Sequence, residues 1–149
     1  MERTLIILKP DAVERRMMGE IIGRFERKGL KVVGMKFGTA PREVVEKHYA
    51  EHEEKPFFGE VVGFMSGGPT CVLALEGNRA IEVCRRLTGK TKAFEAEPGT
   101  IRGDLGLSGQ FNLVHGSDSP ESAERELTLW FKPGELVSYE LPDEKWVAE

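Results

Sequence analysis

Cysteine is nearly absent from this chain: Cys71 and Cys84 are the only two in 149 residues, each in an apolar stretch and neither with a CxxC or Cys/His companion. That spacing suggests neither a disulfide framework nor a zinc site, and a reducing, cytoplasmic setting is expected. Long apolar runs are missing as well. Behind Met1-Glu2-Arg3 stands only the short stretch TLIIL, too brief for a signal-peptide core and far too brief to cross a bilayer, so neither secretion nor membrane insertion is expected. Nor is there an excess of basic charge. A net charge of -4 argues against a chain whose main task is wrapping nucleic acid, which requires clustered Lys and Arg. Internal repeats, low-complexity segments and interdomain linkers are also lacking. What remains is 40% hydrophobic content in a length suited to one continuous core, so a single domain over residues 1–149 is expected.

The apolar pattern alternates between strand and helix. Thr4 to Lys9 is a continuous apolar run closed by Pro10, as in a central strand buried on both faces. From Gly19 to Lys28, Ile21, Ile22 and Phe25 recur at helical spacing, and Gly29 is suited to a left-handed stop. Leu30 to Thr39 puts Val33, Met35 and Phe37 on one face of a strand. Pro41 opens a helix carrying Val44, Val45 and His48, and a broadly apolar helix begins near Pro56 and stops at Gly67-Gly68-Pro69. Thr70 to Glu76 reads as a third strand, followed by a helix capped by Asn78, carrying Ile81, Cys84 and Leu87, and ending at Gly89. Lys90 to Gln110 has no sustained period and reads as a long excursion with a turn near Thr100; loops of that length inside compact domains are usually functional. Phe111 to His115 is a short fourth strand, and Ser119-Pro120-Glu121 opens a last helix with a hydroxyl cap, proline at the first position and an early acid. Trp146 is expected to order the tail by docking on a neighbouring surface. This order predicts an α+β, ferredoxin-like (βαββαβ) four-stranded antiparallel sheet with helices packed mainly on one face. Such a sheet hosts many unrelated activities.

Chemistry concentrates in Asn112-Leu113-Val114-His115-Gly116-Ser117-Asp118-Ser119, where a histidine leaves a buried strand directly into glycine, hydroxyl and carboxylate groups at a helix start. Neutral imidazole is a competent nucleophile near pH 7 when its second nitrogen is held by a partner that fixes the tautomer. Counting from Ser119, positions Ser122, Ala123 and Glu126 return to the cap's side of the helix, so Glu126 is the candidate partner. On spacing alone a satisfied core histidine and a solvated Glu126 remain open. Lys9, Arg85 and Arg102 could converge on one phosphate-sized site or stand apart as surface charges.

These segments, with others along the chain, carry a resemblance to a known family. RTLIILKPDAV, GEIIGRFERKG, HY followed by KPFF, SGGP, PGTIRGD, NLVHGSDS and SAERELTLWF occur in order and resemble the nucleoside diphosphate kinases nearly end to end. The resemblance implies a ferredoxin-like fold, broad tolerance for nucleoside tri- and diphosphates, Mg²⁺ carried by the nucleotide phosphates with no protein metal ligand, and ping-pong transfer through a phosphohistidine. It makes His115 the phosphorylated residue, reacting through the ring nitrogen nearer the backbone, with Ser117 and Glu126 in support. Lys9, Arg85 and Arg102 would hold phosphate oxygens, Thr91 would donate a hydroxyl, Tyr49 would stand beside the histidine, and Asn112 would meet the sugar's 3′ region. Phe57 would stack on the base, which accounts for tolerance because every base has a π face; core packing is its bland alternative. A homo-oligomer is implied, a hexamer rather than a tetramer.

Departures fall at Lys92-Ala93-Phe94, where relatives often have Asn-Pro-Ala in a segment that helps build subunit contacts, at Gly109, where relatives often carry an apolar side chain on the other side of the base so that a base clamped from one face only is expected, and at Gln110-Phe111 in place of Gly-Arg. Two rival readings are a catalytically silent nucleotide-binding or regulatory relative and a nucleic-acid-binding module on the same sheet. The latter would need surface aromatics on strands and a basic face.

Overall fold

The computed structural model describes residues 1–149 throughout. Four antiparallel strands, β1 (Glu2–Leu8), β2 (Lys31–Thr39), β3 (Pro69–Gly77) and β4 (Val114–Gly116), form one sheet in the order β2-β3-β1-β4. That is the ferredoxin-like order. The apolar run of β1 occupies the middle of the sheet, paired with β3 along its whole length and with β4 at Ile6, Ile7 and Leu8.

Chain reversal at Lys9 leads into α1 (Pro10–Glu14), where proline occupies the first turn and forfeits no helical hydrogen bond. Next comes α2 (Met18–Lys28), stopped by Gly29 at φ 109°, which lets its N–H and that of Leu30 fold back onto the carbonyls of Glu26 and Phe25. The remaining helices are α3 (Arg42–His48), α4 (Phe58–Ser66), α5 (Ala80–Thr88), α6 (Ile101–Leu105), α7 (Pro120–Trp130) and α8 (Glu144–Val147).

Helices cover both sides of the sheet, whereas the sequence pattern had placed them mainly on one. Ile6, Leu8, Leu73 and Leu75 pack against Ile21 and Phe25 of α2 and Cys84 of α5. Leu5, Ile7, Val72 and Ala74 on the opposite face pack against Val45 of α3, Val62 of α4 and Trp130 of α7. Two covered faces explain why β1 and β3 read as unbroken apolar runs; each such side chain removed from water contributes about 1.5–3 kcal/mol.

Four local expectations differ from the structure. In β2 a register shift lies between Val32 and Gly34; Val33 is buried, but Met35 and Phe37, beyond the bulge on this edge strand, are exposed. Asn78 does not cap α5: Arg79 enters it in the left-handed region, and the Glu2 carboxylate accepts from the Ile81 N–H instead. β4 begins at Val114, not Phe111, because Leu113 has φ 72° and breaks the extended run. Residues 90–110 are more ordered than their pattern suggests, with a 3₁₀ turn at Ala93–Glu95 and α6 capped by the Thr100 hydroxyl. The tail lies on β2: Val137 donates to the Val33 carbonyl, and buried Lys31 reaches both Tyr139 O and Glu144. Within the chain Trp146 stays exposed. No helix is long and apolar enough to cross a membrane.

Candidate active site

His115 sits on β4, opposite Ile7 of the central strand, and its Nε2 lies 3.0 Å from Glu126 Oε1. Glu126 is buried two turns into α7, whose start is fixed by Ser119 accepting from the Ser122 N–H. The same Glu126 oxygen accepts from Ser117 Oγ at 2.7 Å, and Ser117 Oγ in turn accepts from the Leu5 backbone N–H at 3.2 Å. Burial by itself would raise the Glu126 pKa, but the hydrogen bond and charge of His115, with the Ser117 hydroxyl, outweigh it and hold the carboxyl below its ordinary value. A carboxylate there requires Nε2 to carry a proton, which leaves Nδ1, the nitrogen nearer the backbone, with its lone pair and no protein partner.

Three cations stand close by without a carboxylate ion pair: Lys9, Arg85 and Arg102. Lys9 is pulled down to about 8 by burial and then by the Arg102 charge, with Asp11 acting weakly in the other direction. Arg102 is pulled down to about 10 by burial and then by the Arg85 charge. Positive groups gathered in this way, Arg102 acting on Lys9 and Arg85 on Arg102, make a site that an anion relieves. Arg102, largely buried, uses its guanidinium to hold the carbonyls of Gly89, Asn112 and Val114, spending three of its five N–H donors. Arg85 donates to the carbonyl of Gly116, the residue after the histidine, and a niche of about 10 Å³ lies between Arg85, Gly89, Arg102 and Gly116. Lys9 Nζ donates to Asn112 Oδ1 at 2.8 Å, and Asn112 Nδ2 donates to the Thr91 carbonyl at 2.8 Å. Asn112 therefore ties the Thr91 segment to Lys9, a structural task its sequence context did not disclose.

Tyr49 is pushed up to about 12 by burial and then by the Glu126 charge, so its phenol stays a proton donor. It lines a cleft of about 70 Å³ with Lys9, Val61, Phe64, Gln110 and Phe111. Phe57 stands exposed at the N-terminal end of α4, its ring near His52 and Lys55, and takes no part in the core. A larger cavity, about 780 Å³, lies elsewhere. It shares only Arg85 with this site and mixes Glu2, Glu82 and Asp118 with Arg79 and Arg86, which gives it no coherent charge for an anion.

A family model for nucleoside diphosphate kinase matches residues 2–136. The chain belongs to the nucleoside diphosphate kinase family. It is 54% identical over 149 residues to a nucleoside diphosphate kinase of Archaeoglobus fulgidus, covering 100% of this chain and 99% of the relative, and 52% identical over its full length to the one of Staphylococcus haemolyticus, again covering all of both. A solved structure of the nucleoside diphosphate kinase of Halobacterium salinarum in complex with CDP superposes with a TM-score of 0.96, at 46% identity over 99% of each chain.

Two residues went unassigned in the sequence. His48, which reads there as one apolar position of a helix, lies with its ring edge-on to His115, the centroids 4.5 Å apart, and its Nδ1 accepts from Trp130 Nε1 at 3.0 Å. That bond puts the remaining proton on Nε2, which faces Glu126 Oε2 at 3.9 Å. Burial, then the charge of His115, pulls His48 down to about 3, so it is a neutral prop between α3 and α7. His48, His115 and Glu126 bring three ligand-type atoms within 4.8 Å of one another, but the proton on His48 Nε2 occupies the lone pair a metal would need. Asp11 is the second. It accepts from the Leu113 N–H at 3.1 Å, while the Lys9 N–H donates to the Leu113 carbonyl, and together they hold the strained φ of Leu113 immediately before β4. His48 falls in the HY segment of the resemblance, which assigns it no task; Asp11 lies inside KPD, where the chain reverses.

Proposed function

We propose that the chain moves the γ-phosphoryl group of a nucleoside triphosphate, typically ATP, to a nucleoside diphosphate by two in-line transfers through His115. Family membership supports the activity, and the single observation that supports the residue is the free Nδ1 of an imidazole whose Nε2 is held at 3.0 Å by buried Glu126. In the first half-reaction the Nδ1 lone pair attacks the γ-phosphorus, the bond to the bridging oxygen breaks, and that oxygen leaves with the electron pair on the diphosphate. His115 becomes an N-phosphorylated imidazolium whose Nε2–H stays on Glu126, with Ser117 fixing the carboxylate. An acceptor diphosphate then enters the same pocket, its terminal oxygen attacks the phosphorus, and the N–P bond breaks to restore neutral imidazole.

Phosphoryl transfer needs positioning and charge stabilisation more than covalent help. Lys9, Arg85 and Arg102 supply charge-assisted donors to the phosphate oxygens, Thr91 and Tyr49 supply hydroxyls, Asn112 lies toward the sugar, and Phe57 stacks on the base. Mg²⁺ arrives as part of the substrate, on the nucleotide phosphates; a hard cation of that size prefers six oxygens, which phosphates and water provide. The CDP in the Halobacterium salinarum structure is a pyrimidine nucleotide, in line with a site that stacks on the base without reading its edges. We read the chain as one domain that works in the cytoplasm, where the two buried free cysteines would stay reduced, and that assembles with its own copies. The exposed Met35 and Phe37 on edge strand β2 favour such an assembly, and the family resemblance favours a hexamer.

The test is to incubate the protein with γ-labelled ATP and Mg²⁺, remove free nucleotide, and measure acid-labile, base-stable phosphate on the protein. Label that GDP withdraws as GTP, and that His115→Ala loses while still binding nucleotide, is the expected result. Label retained in His115→Ala would place the chemistry elsewhere.

A further inference from the structure

Just before His115 the chain makes a turn that leucine does not favour. Leu113 has φ 72°, and across it the Val114 N–H donates to the Asn112 carbonyl at 2.8 Å. A three-residue turn closed in that way on a positive φ is the rare, strained form of the γ-turn. Glycine adopts such an angle freely, but the Leu113 side chain is fully buried in the core cluster that also holds Leu8 and Ile101. The strain is therefore kept, and other residues must hold it.

The groups that hold the turn come from the candidate phosphate site and its edge. The Lys9 N–H donates to the Leu113 carbonyl at 2.9 Å, and Lys9 Nζ donates to Asn112 Oδ1. Arg102 grips the carbonyls on either side of Leu113, those of Asn112 and Val114. The Leu113 N–H donates to Asp11 Oδ2 at 3.1 Å. Asp11 differs from the other two in carrying a negative charge, and its second oxygen, Oδ1, is buried without a hydrogen-bond partner. A carboxylate oxygen left so is costly unless nearby cations offset it, and Lys9 and Arg102 both feel the Asp11 charge.

We infer that Asp11 is a positioning residue for the transfer: by holding the γ-turn at Leu113 it sets the entry into β4 and so fixes His115 relative to Lys9 and Arg102. The inference rests on the reading of His115 as the nucleophile and of the two cations as phosphate holders. Without the Asp11 acceptor the Leu113 N–H would be left unpaired, and the turn would relax toward a negative φ. His115 would then shift while Lys9 and Arg102 stayed on their own segments. The Asp11 charge has a separate effect. Burial, then the Arg102 charge, pulls Lys9 down to about 8, and Asp11 acts against both, so removing the charge alone takes Lys9 lower. Lys9 also shares its cleft with Tyr49 and with Glu60 of α4, and Asp11 shares a cavity with Arg15 and Asp104; these groups are the same in every Asp11 variant.

The experiment compares the wild type, Asp11→Ala and Asp11→Asn by single-turnover labelling of His115 from γ-labelled ATP between about pH 6 and about pH 9, with ADP affinity by calorimetry and the thermal midpoint for each. Asp11→Ala removes both acceptor and charge. It is expected to slow labelling at the acid end by roughly tenfold to a hundredfold, the scale of a misplaced reacting group, with ADP affinity nearly unchanged. Asp11→Asn keeps a carbonyl oxygen for the Leu113 N–H and loses only the charge. Its rate at the acid end is expected to return close to the wild-type value, and its alkaline limb to begin at lower pH than that of the wild type. Normal labelling of the wild type with an unchanged rate in Asp11→Ala overturns this inference alone. An Asp11→Asn rate as low as that of Asp11→Ala at the acid end, or a loss of ADP affinity that matches the loss of rate, overturns it as well. No label on the wild type overturns the reading of His115 and this inference with it. Should Asp11→Ala not fold, Asp11→Asn decides: a preserved acid-end rate with a lowered limb supports the inference, and a reduced rate with the limb unmoved overturns it.

Discussion

Lys9 holds its charge less firmly than an ordinary lysine because burial and the neighbouring Arg102 both act against it, bringing it to about 8. The phosphate-binding role proposed for it requires the protonated form. As pH rises through about 8 the free enzyme loses that proton, so kcat/KM for nucleotide should fall on an alkaline limb near pH 8 instead of near the roughly 10.4 of an unperturbed lysine. A pH–rate series on Lys9→Arg checks this: the limb should leave the pH 8 region, and a limb that stays there would belong to another group. Lys9 could be read from its place in KPD. His48 could not, because its meaning depends on Trp130 and His115, distant in sequence, and helical spacing marks it only as an inward-facing position. Asn112 stood out in the sequence as a candidate, but not as the link between Lys9 and Thr91, since a single amide reaching two other segments leaves no local pattern.

Helix α7 carries Glu126 at its middle and is fixed at its start by the Ser119 hydroxyl. Replacing Ser119 with Ala should lower unfolding stability by about 0.5–2 kcal/mol. The transfer rate should change far less, because Glu126 is two turns inside and remains bound by Ser117 and His115. Denaturant melts alongside single-turnover rates would separate the two effects; a rate that falls in step with stability would mean the cap also sets the carboxylate's position. The cap, proline and early acid of α7 were legible because capping is local chemistry. The true start of β4 was not. Leu113 adopts a backbone angle that leucine avoids, and it does so because Asp11 and Lys9 hold its N–H and carbonyl from across the sheet. Likewise Glu2 caps α5 from the far end of the chain in sequence, where Asn78 is the local candidate. The alternating core pattern announced the sheet, but a bulge at Val32–Gly34 and the covering of both faces appear only when the strands are placed together.

For the molecule as a whole, neutral His48 sets a limit on the acid side. Its folded pKa of about 3 lies below the roughly 6.5 of an unfolded histidine, so below pH 6.5 the unfolded chain binds a proton that the folded one refuses. Stability from this source is flat above about pH 6.5 and erodes as pH falls toward 3. Glu126, whose pKa is lowered, acts in the same sense further down, its contribution present above the unfolded carboxylate value and lost as pH falls through its folded one. Thermal midpoints measured across that window should decline, and His48→Gln should flatten the upper part of the decline; an unchanged slope would assign the acid sensitivity to other groups.

The strand that bears His115, the proposed nucleophile, is held to the sheet by only three register pairs, Ile6 with Gly116, Ile7 with His115 and Leu8 with Val114, and its partner lies over a hundred residues away in the chain. Closing so long a loop loses the most chain entropy for the fewest hydrogen bonds, so this pairing should be among the last to form. Catalytic competence is then acquired late: on refolding from denaturant, helical circular dichroism should return ahead of phosphoryl transfer. Timing the two in one stopped-flow series would show whether the recovered turnover marks the final step of folding.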